Sequence, residues 1–259
     1  MARRPLPRQV FITGASSGIG RALALEYAAP GRHLGLVARR AAELAATAEA
    51  CRDRGAEVWW QAADVTDGAA MRGAAEAFLG WSGAVELIIA NAGGGEAETL
   101  LDGDLLDRTL RLNVTGVART WAPFLPALRP GAQLAAVASL AGYRGLPYSA
   151  SYSAAKAALI NYAESLRIAL RPRGIAVATI CPGYVDTPLT AGNPFRPGVI
   201  TAQQAAAEIR RQLCRGRSRI AFPWKLAWVV ASLRFLPDAL YDRAIAYFTA
   251  RRAQDRAER

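Results

Sequence analysis

The chain has little that could bind a metal or staple a small fold, with 3 cysteines and 1 histidine in 259 residues. Cys51, Cys181 and Cys214 are odd in number and far apart, with no Cys-x-x-Cys, so free thiols in a reducing compartment are expected and no zinc site is. Long hydrophobic runs are missing too. No stretch approaches the roughly 18 uninterrupted apolar residues of a spanning helix, which argues against a polytopic membrane protein. The N-terminus MARRPLPRQVFITG is basic but reaches a glycine motif before an apolar core of about 7 residues can form. No secretory signal is expected, and the expected location is cytoplasmic. Lysine is scarce: of 32 basic side chains only Lys156 and Lys225 are lysines.

What the chain does contain is apolar residue, 52%, against 20% charged, which excludes disorder for the body of the chain. This length suits one large domain burying about three quarters of its unfolded surface. The formal charge is +11, yet residues 1 to 8 carry +3 and residues 210 to 259 carry +8, leaving residues 9 to 209 neutral. A nucleic-acid-binding protein needs a basic stripe on a folded face with stacking aromatics. Cationic ends do not supply one, and no nucleic-acid partner is expected.

Short β-rich runs, VFIT, HLGLVA, EVWWQA, ELIIA, QLAAVAS and IAVATI, alternate with Ala/Leu-rich segments near 18–30, 41–54, 67–80, 105–128 and 152–172 that read as helices. The alternation predicts an α/β fold: a Rossmann-like, doubly wound parallel sheet flanked by helices, with a C-terminal helical extension. Three parts are expected: a basic arm over 1–8, the Rossmann-like catalytic domain over 9–221, and an amphipathic extension over 222–259. AGNPFRPGVI (191–200) concentrates Gly and Pro and reads as a loop, positioned to act as a lid.

The first strand runs into Thr13-Gly14-Ala15-Ser16-Ser17-Gly18-Ile19-Gly20 and then at once into a helix. Glycines let the backbone approach a phosphate, and the helix N-terminus offers free N–H groups, so the turn suits a pyrophosphate. The same residues satisfy Gly-x-Ser-x-Gly, the pattern of a hydrolase nucleophile elbow. That chemistry needs an acid and then a His later in the chain, and the one histidine, His33, lies too soon after the turn. Arg39 and Arg40 follow the second strand, where an acid would bind a ribose 2'-hydroxyl and an arginine accommodates a 2'-phosphate. NADP is therefore the expected cofactor. Asp64 and Val65, after the third strand, are placed to hold the adenine.

Tyr152 and Lys156 stand four apart, on one helix face. A phenol of ordinary pKa is a poor base at neutral pH, and bringing it there costs about 4 kcal/mol, which a neighbouring ammonium and a nicotinamide cation can supply. Ser139 ends an earlier strand, and Asn113 lies in a helix before that.

Taken in order, TGASSGIG (13–20), Asp64, Asn91-Ala92-Gly93, Asn113, Ser139, YSAAK (152–156) and Pro182-Gly183 with Thr187 resemble the motifs of the classical short-chain dehydrogenase/reductase family over residues 9 to about 190. A departure is Ala90, where that family often has a second Asn. The resemblance implies that Tyr152 is the general acid/base and that Lys156 lowers its pKa while holding the nicotinamide ribose. It implies that Ser139 binds the substrate oxygen and Asn113 anchors a relay water. It also places Asn91, Ala92, Gly93, Pro182, Gly183, Val185 and Thr187 with Gly14, Ser16, Ser17, Gly18, Ile19 and Gly20 around the cofactor, and it implies a homodimer or homotetramer. A non-catalytic NADP-binding scaffold is the alternative, and it requires all four catalytic positions to be idle.

Ligands of open α/β sheets sit beyond the carboxyl ends of the strands. The segments there offer Leu140, Tyr143, Leu146, Tyr148, Tyr184, Leu189 and Phe195 around Ser139 and Tyr152, with Arg144 and Arg196 the basic residues, so an apolar carbonyl or secondary alcohol is expected. Beyond them, RIAFPWKLAWVVASLRFL carries Trp224, Lys225 and Trp228, and Pro237-Asp238 opens a helix with Leu240, Tyr241, Ala244, Ile245 and Phe248 on one face. Two expectations stand for 222–259: peripheral contact with a bilayer interface, or docking on the domain or another subunit.

Overall fold

The computed structural model describes residues 4–96, 98, 101–193 and 196–257, with side chains as far as residue 247. Phe195 and the Phe248 side chain lie outside what is described. The early part of the chain alternates strictly: β1 (Gln9–Thr13), α1 (Gly18–Tyr27), β2 (His33–Ala38), α2 (Ala41–Arg52), β3 (Glu57–Ala62), α3 (Gly68–Ser82) and β4 (Leu87–Ala90). After α4 (Gly103–Leu110) and α5 (Gly116–Trp121) come β5 (Gln133–Val137), α6 (Ala150–Leu170) and β6 (Ala176–Pro182). The remainder holds β7 (Val185–Asp186), β8 (Ile200–Thr201), α7 (Ala202–Cys214), β9 (Arg219–Phe222), α8 (Trp224–Ser232) and α9 (Asp238–Ala257).

Seven strands pair in parallel in the order β3-β2-β1-β4-β5-β6-β9. Helices cover both faces, so β4 and β5 are buried along their whole length, which is why they read as unbroken apolar runs without alternation. One core layer lies under α1, α2 and α7 and includes Leu23, Leu36, Leu44 and Ile209. The other, which includes Leu159 of α6, centres on Phe11, whose ring meets Phe124 at 4.8 Å and Phe78 at 5.3 Å, both edge-on. The chain winds outward from β1 to β3, then returns to β4 on the other side of β1. This reversal opens a crevice beyond the carboxyl ends of β1 and β4.

Two stretches differ from the sequence expectation. The helix expected over 105–128 is α4 and α5 joined by a π turn at Arg111–Thr115, then a 3-10 stretch at Ala122–Ala127. Pro123 and Pro126 lack the N–H groups an α-helix would use there. RIAF, grouped in sequence with the amphipathic tail, forms β9 and pairs with β6 from Thr179↔Arg219 to Pro182↔Phe222. A four-residue strand at a sheet edge has too short a period to stand out beside the apolar helix that follows it. The three cysteines are free, with Cys51 and Cys181 buried.

Candidate active site

A cleft of about 450 Å³ lies at the strand reversal. Its floor is the turn after β1. The N–H of Gly14 donates to the Val37 carbonyl at 2.7 Å, hanging the turn on β2. Gly14 has φ +70, and a Cβ there would stand 2.8 Å from Asn91 Nδ2 and 2.9 Å from Ala92 Cα. The Asn91 amide donates to the Thr13 carbonyl at 3.0 Å and the Gly14 carbonyl at 3.3 Å, while Thr13 Oγ1 accepts from the N–H groups of Asn91 and Ala92. Asn91 thus clamps β4 to the turn with its side chain and faces the cleft with its backbone. Gly20 lies behind the turn, against the Gly14 carbonyl. Ser17 makes no side-chain cap to α1 and the first turn of α1 has no acid, so its N–H groups are open to an anion. This cradle fits the diphosphate of a dinucleotide.

At the cleft mouth, Arg40 Nη2 donates to Ser16 Oγ at 3.1 Å and Ser17 Oγ at 2.6 Å, holding its guanidinium beside the turn. Its other nitrogen is 3.4 Å from Glu43. Arg39 is more exposed and lies 3.8 Å from Asp64 Oδ2. Asp64 Oδ1 accepts from both the N–H and the hydroxyl of Thr66, so this carboxylate shapes the turn after β3. Val65 is buried against Gly116 at the cleft wall. Ser16, Ser17, Gly18, Ile19, Gly93, Pro182, Gly183, Val185 and Thr187 also line the cleft, together with Leu112, Pro188 and Thr190, which sequence reasoning passed over.

The other end of the cleft holds Ser139, Tyr152 and Lys156. Tyr152 and Lys156 come from the first two turns of α6, and Ser139 comes from the end of β5, where its Oγ accepts the Ala141 N–H at 3.1 Å. Burial raises the Tyr152 phenol above its ordinary range, and a hydrogen bond with Ser139 opposes that rise. This burial works against the lowering that Lys156 and a nicotinamide cation are expected to supply. Lys156 Nζ stands 5.5 Å from the Tyr152 ring centre and donates to the Val137 carbonyl at 2.9 Å. Burial lowers its own pKa to about 8. Asn113 sits in the π turn and is fully buried. Its amide is completely engaged, donating to the carbonyls of Gly94 (2.8 Å) and Thr109 (2.9 Å) and accepting from the Gly94 N–H (3.2 Å). Its side chain therefore orders the strand end after β4.

Two residues near this group carried no sequence signal. At Gly95 a Cβ would lie 2.5 Å from Tyr152 Cδ2, so the backbone there rests on the phenol ring. Gly95→Ala is expected to push the ring out of place and lower kcat by up to about 10²-fold, with cofactor binding unchanged in a thermal-shift titration. Glu98 accepts the Ser151 N–H at 2.8 Å, placing a carboxylate at the N-terminus of α6, and that bond lowers its pKa. Both contacts join segments more than fifty residues apart, which no local pattern reports.

Of the apolar positions expected around a substrate, Leu189 lines the cleft. Leu140 is 4% exposed and belongs to the core, because the 3-10 turn after Ser139 points it inward. Tyr143 packs beside the same core, Leu146 and Tyr184 are half-buried away from the cleft lining, and Tyr148 is exposed. Neither basic residue of these segments is directed at the cleft. Arg196 pairs with Asp186 at 2.6 Å. Arg144 reaches the C-terminal extension, donating to the Leu233 and Leu236 carbonyls at 3.1 Å each and to Asp238 at 2.7 Å, with its guanidinium 4.3 Å over the Tyr241 ring. The Tyr241 hydroxyl donates to the Gly145 carbonyl in return. Asp238 is almost fully exposed, so its pair adds little, and the bonds to carbonyls carry the anchor. Arg144→Ala is expected to cost about 2 kcal/mol of stability and to speed tryptic cleavage within 222–257. Both are read in one limited-proteolysis and thermal-melt comparison.

A glycine turn fitted to a diphosphate, with a serine, a phenol and an amine at the other end of the same cleft, is the arrangement of a nucleotide-binding oxidoreductase. The chain belongs to the short chain dehydrogenase family, whose model matches residues 8–194. It is 37% identical over 242 residues to an uncharacterized oxidoreductase of Myxococcus xanthus, covering 92% of this chain and 96% of that one. Two solved structures resemble it at 28% identity. One is a short chain dehydrogenase/reductase of Burkholderia phymatum in complex with NAD (TM-score 0.79, 86% of this chain and 91% of that one). The other is an alcohol dehydrogenase of the archaeon Thermococcus sibiricus complexed with 5-hydroxy-NADP (TM-score 0.75, 83% and 94%).

Proposed function

We propose that the chain is an NADP(H)-dependent oxidoreductase that interconverts a carbonyl and a secondary alcohol on an apolar substrate, with Tyr152 as the general acid/base. The observation that carries this reading is that Ser139, Tyr152 and Lys156 line the inner end of one cleft whose mouth is held by Arg40 beside the glycine turn. When bound, the nicotinamide would supply or accept the hydride and, in its oxidised form, bring a positive charge beside the phenol.

The chain's own residues do the rest. Ser139 Oγ and the Tyr152 hydroxyl together bind the substrate oxygen, and Tyr152 gives that oxygen a proton in reduction or takes one in oxidation. Lys156, pinned by the Val137 carbonyl, holds the ribose and supplies an ammonium beside the phenol. The Asn113 amide, bound to the Gly94 and Thr109 carbonyls, holds the strand end beside these groups in place. Arg40 and Ser16 together offer charge-assisted and neutral donors to a 2'-phosphate, which favours NADP over NAD. With Arg144 and Arg196 paired elsewhere and Lys156 buried on the Val137 carbonyl, the substrate side of the cleft presents Leu189 beside Tyr152, which favours an apolar substrate. Oxidation of NADPH against a panel of apolar and polyhydroxylated carbonyls tests the reading. Faster turnover of the polyhydroxylated set would overturn the substrate class.

A further inference from the structure

We infer that α8 is a membrane-docking face that seats the protein on an anionic bilayer surface. The helix is anchored to the domain on one side: Ala227 is buried, and Leu226 and Val230 pack against the core. Its other side is bare. Trp224, Trp228 and Val229 are 67%, 74% and 58% exposed, and Phe235, just beyond the helix, is 89% exposed. Positions 224, 228 and 232 fall on one stripe and 225 and 229 on the next, so these side chains form a single face with Lys225. Indole rings, apolar in body with one N–H donor, suit the headgroup boundary of a bilayer better than water or hydrocarbon.

Charge selects the occupant. Between Glu208 and Asp238 the chain has no acidic residue. Arg215, Arg217, Lys225 and Arg234 are exposed there and make no ion pair among the described residues. A second copy docked face to face would bring two cationic stretches without an acid together, whereas an anionic lipid surface complements them. No helix among the described residues is long and apolar enough to cross a membrane, so the face lies on the surface. It also lies beside the cleft. An apolar groove of about 370 Å³ runs along its base between Pro197 and Val229, and its wall residue Leu226 closes on Gly183, where a Cβ would stand 2.9 Å from the leucine methyl. The Arg144 anchor ties the same extension to the segment after Ser139.

The inference does not depend on the proposed reaction, since binding is read without turnover. The full chain is floated with phosphatidylcholine vesicles and with vesicles containing phosphatidylglycerol, at low and high salt. It is expected to float with the anionic vesicles at low salt, with a blue shift of tryptophan emission. Two variants separate the contributions. Trp224→Ser with Trp228→Ser is expected to weaken partitioning about tenfold or more, and Lys225→Gln with Arg234→Gln to weaken it on the order of thirtyfold. A cooperative thermal melt like that of the wild-type chain reports that each variant is folded. Absence of flotation, or equal flotation of the wild-type chain and both variants, would overturn the inference. So would a solution mass that halves in the Trp variant, because the face would then be covered by another copy.

Discussion

Tyr152→Phe is expected to lower turnover by about 10²- to 10⁴-fold, the range that a positioned acid/base contributes. The measurement is NADPH oxidation with a reducible apolar ketone at saturating cofactor, alongside a thermal-shift titration showing that cofactor affinity is kept. The ring alone still fills the space over Gly95, so loss of activity with retained binding isolates the hydroxyl. The wild-type pH dependence follows from the direction of the shifts. Burial raises the phenol, so it stays protonated through neutrality and carbonyl reduction is expected to run without loss up to about pH 8. Alcohol oxidation requires the phenolate and is expected to rise with pH over the same interval. As pH passes about 8, Lys156 loses the charge that supports the phenolate, so the oxidation profile is expected to bend over there. A flat oxidation profile from pH 6 to 9, or normal turnover in the Phe variant, would remove Tyr152 from the proton step.

Arg40→Asp is expected to lower kcat/KM for NADPH by about 10²-fold while leaving NADH nearly unchanged or improved. Charge-assisted hydrogen bonds contribute about 1.5–3 kcal/mol, which is ten- to 150-fold, and reversal adds repulsion of the 2'-phosphate. The effect should exceed that of Arg39→Ala. Arg40 is fixed by two serine hydroxyls at the glycine turn, whereas Arg39 is the more exposed side chain and lies 3.8 Å from Asp64. Initial rates with both cofactors check this. Equal losses for NADPH and NADH would show that Arg40 supports the turn itself and does not read the phosphate.

The fold was legible because its signals are local. Buried parallel strands appear as apolar runs, helices as Ala/Leu periods, and the glycine turn as punctuation between them. The seventh strand was not legible, since four residues beside a strongly apolar helix carry no period of their own. The π turn was missed for a similar reason: one inserted residue in the backbone register leaves the composition of a helix unchanged.

The site divides along the same line. Order along the chain sufficed to nominate Gly14, Arg40, Asn113, Ser139, Tyr152 and Lys156, and in the folded protein all but Asn113 line one cleft at the strand reversal. Residue identity did not tell what each side chain touches. Asn91 and Asn113 spend their amides on backbone, Leu140 turns into the core, and Arg144 leaves the substrate segment to hold the C-terminal extension. Burial works against the lowering expected at Tyr152, because desolvation depends on everything packed around a group and an i, i+4 spacing records one neighbour. The sequence by itself determined the class of fold, the order of the motifs and the neutrality of the body between cationic ends. Only the tertiary structure decided which polar groups remain unspent at the cleft and which face of α8 is left bare. Those outcomes are set by contacts between segments far apart in the chain, and local periodicity holds no record of them.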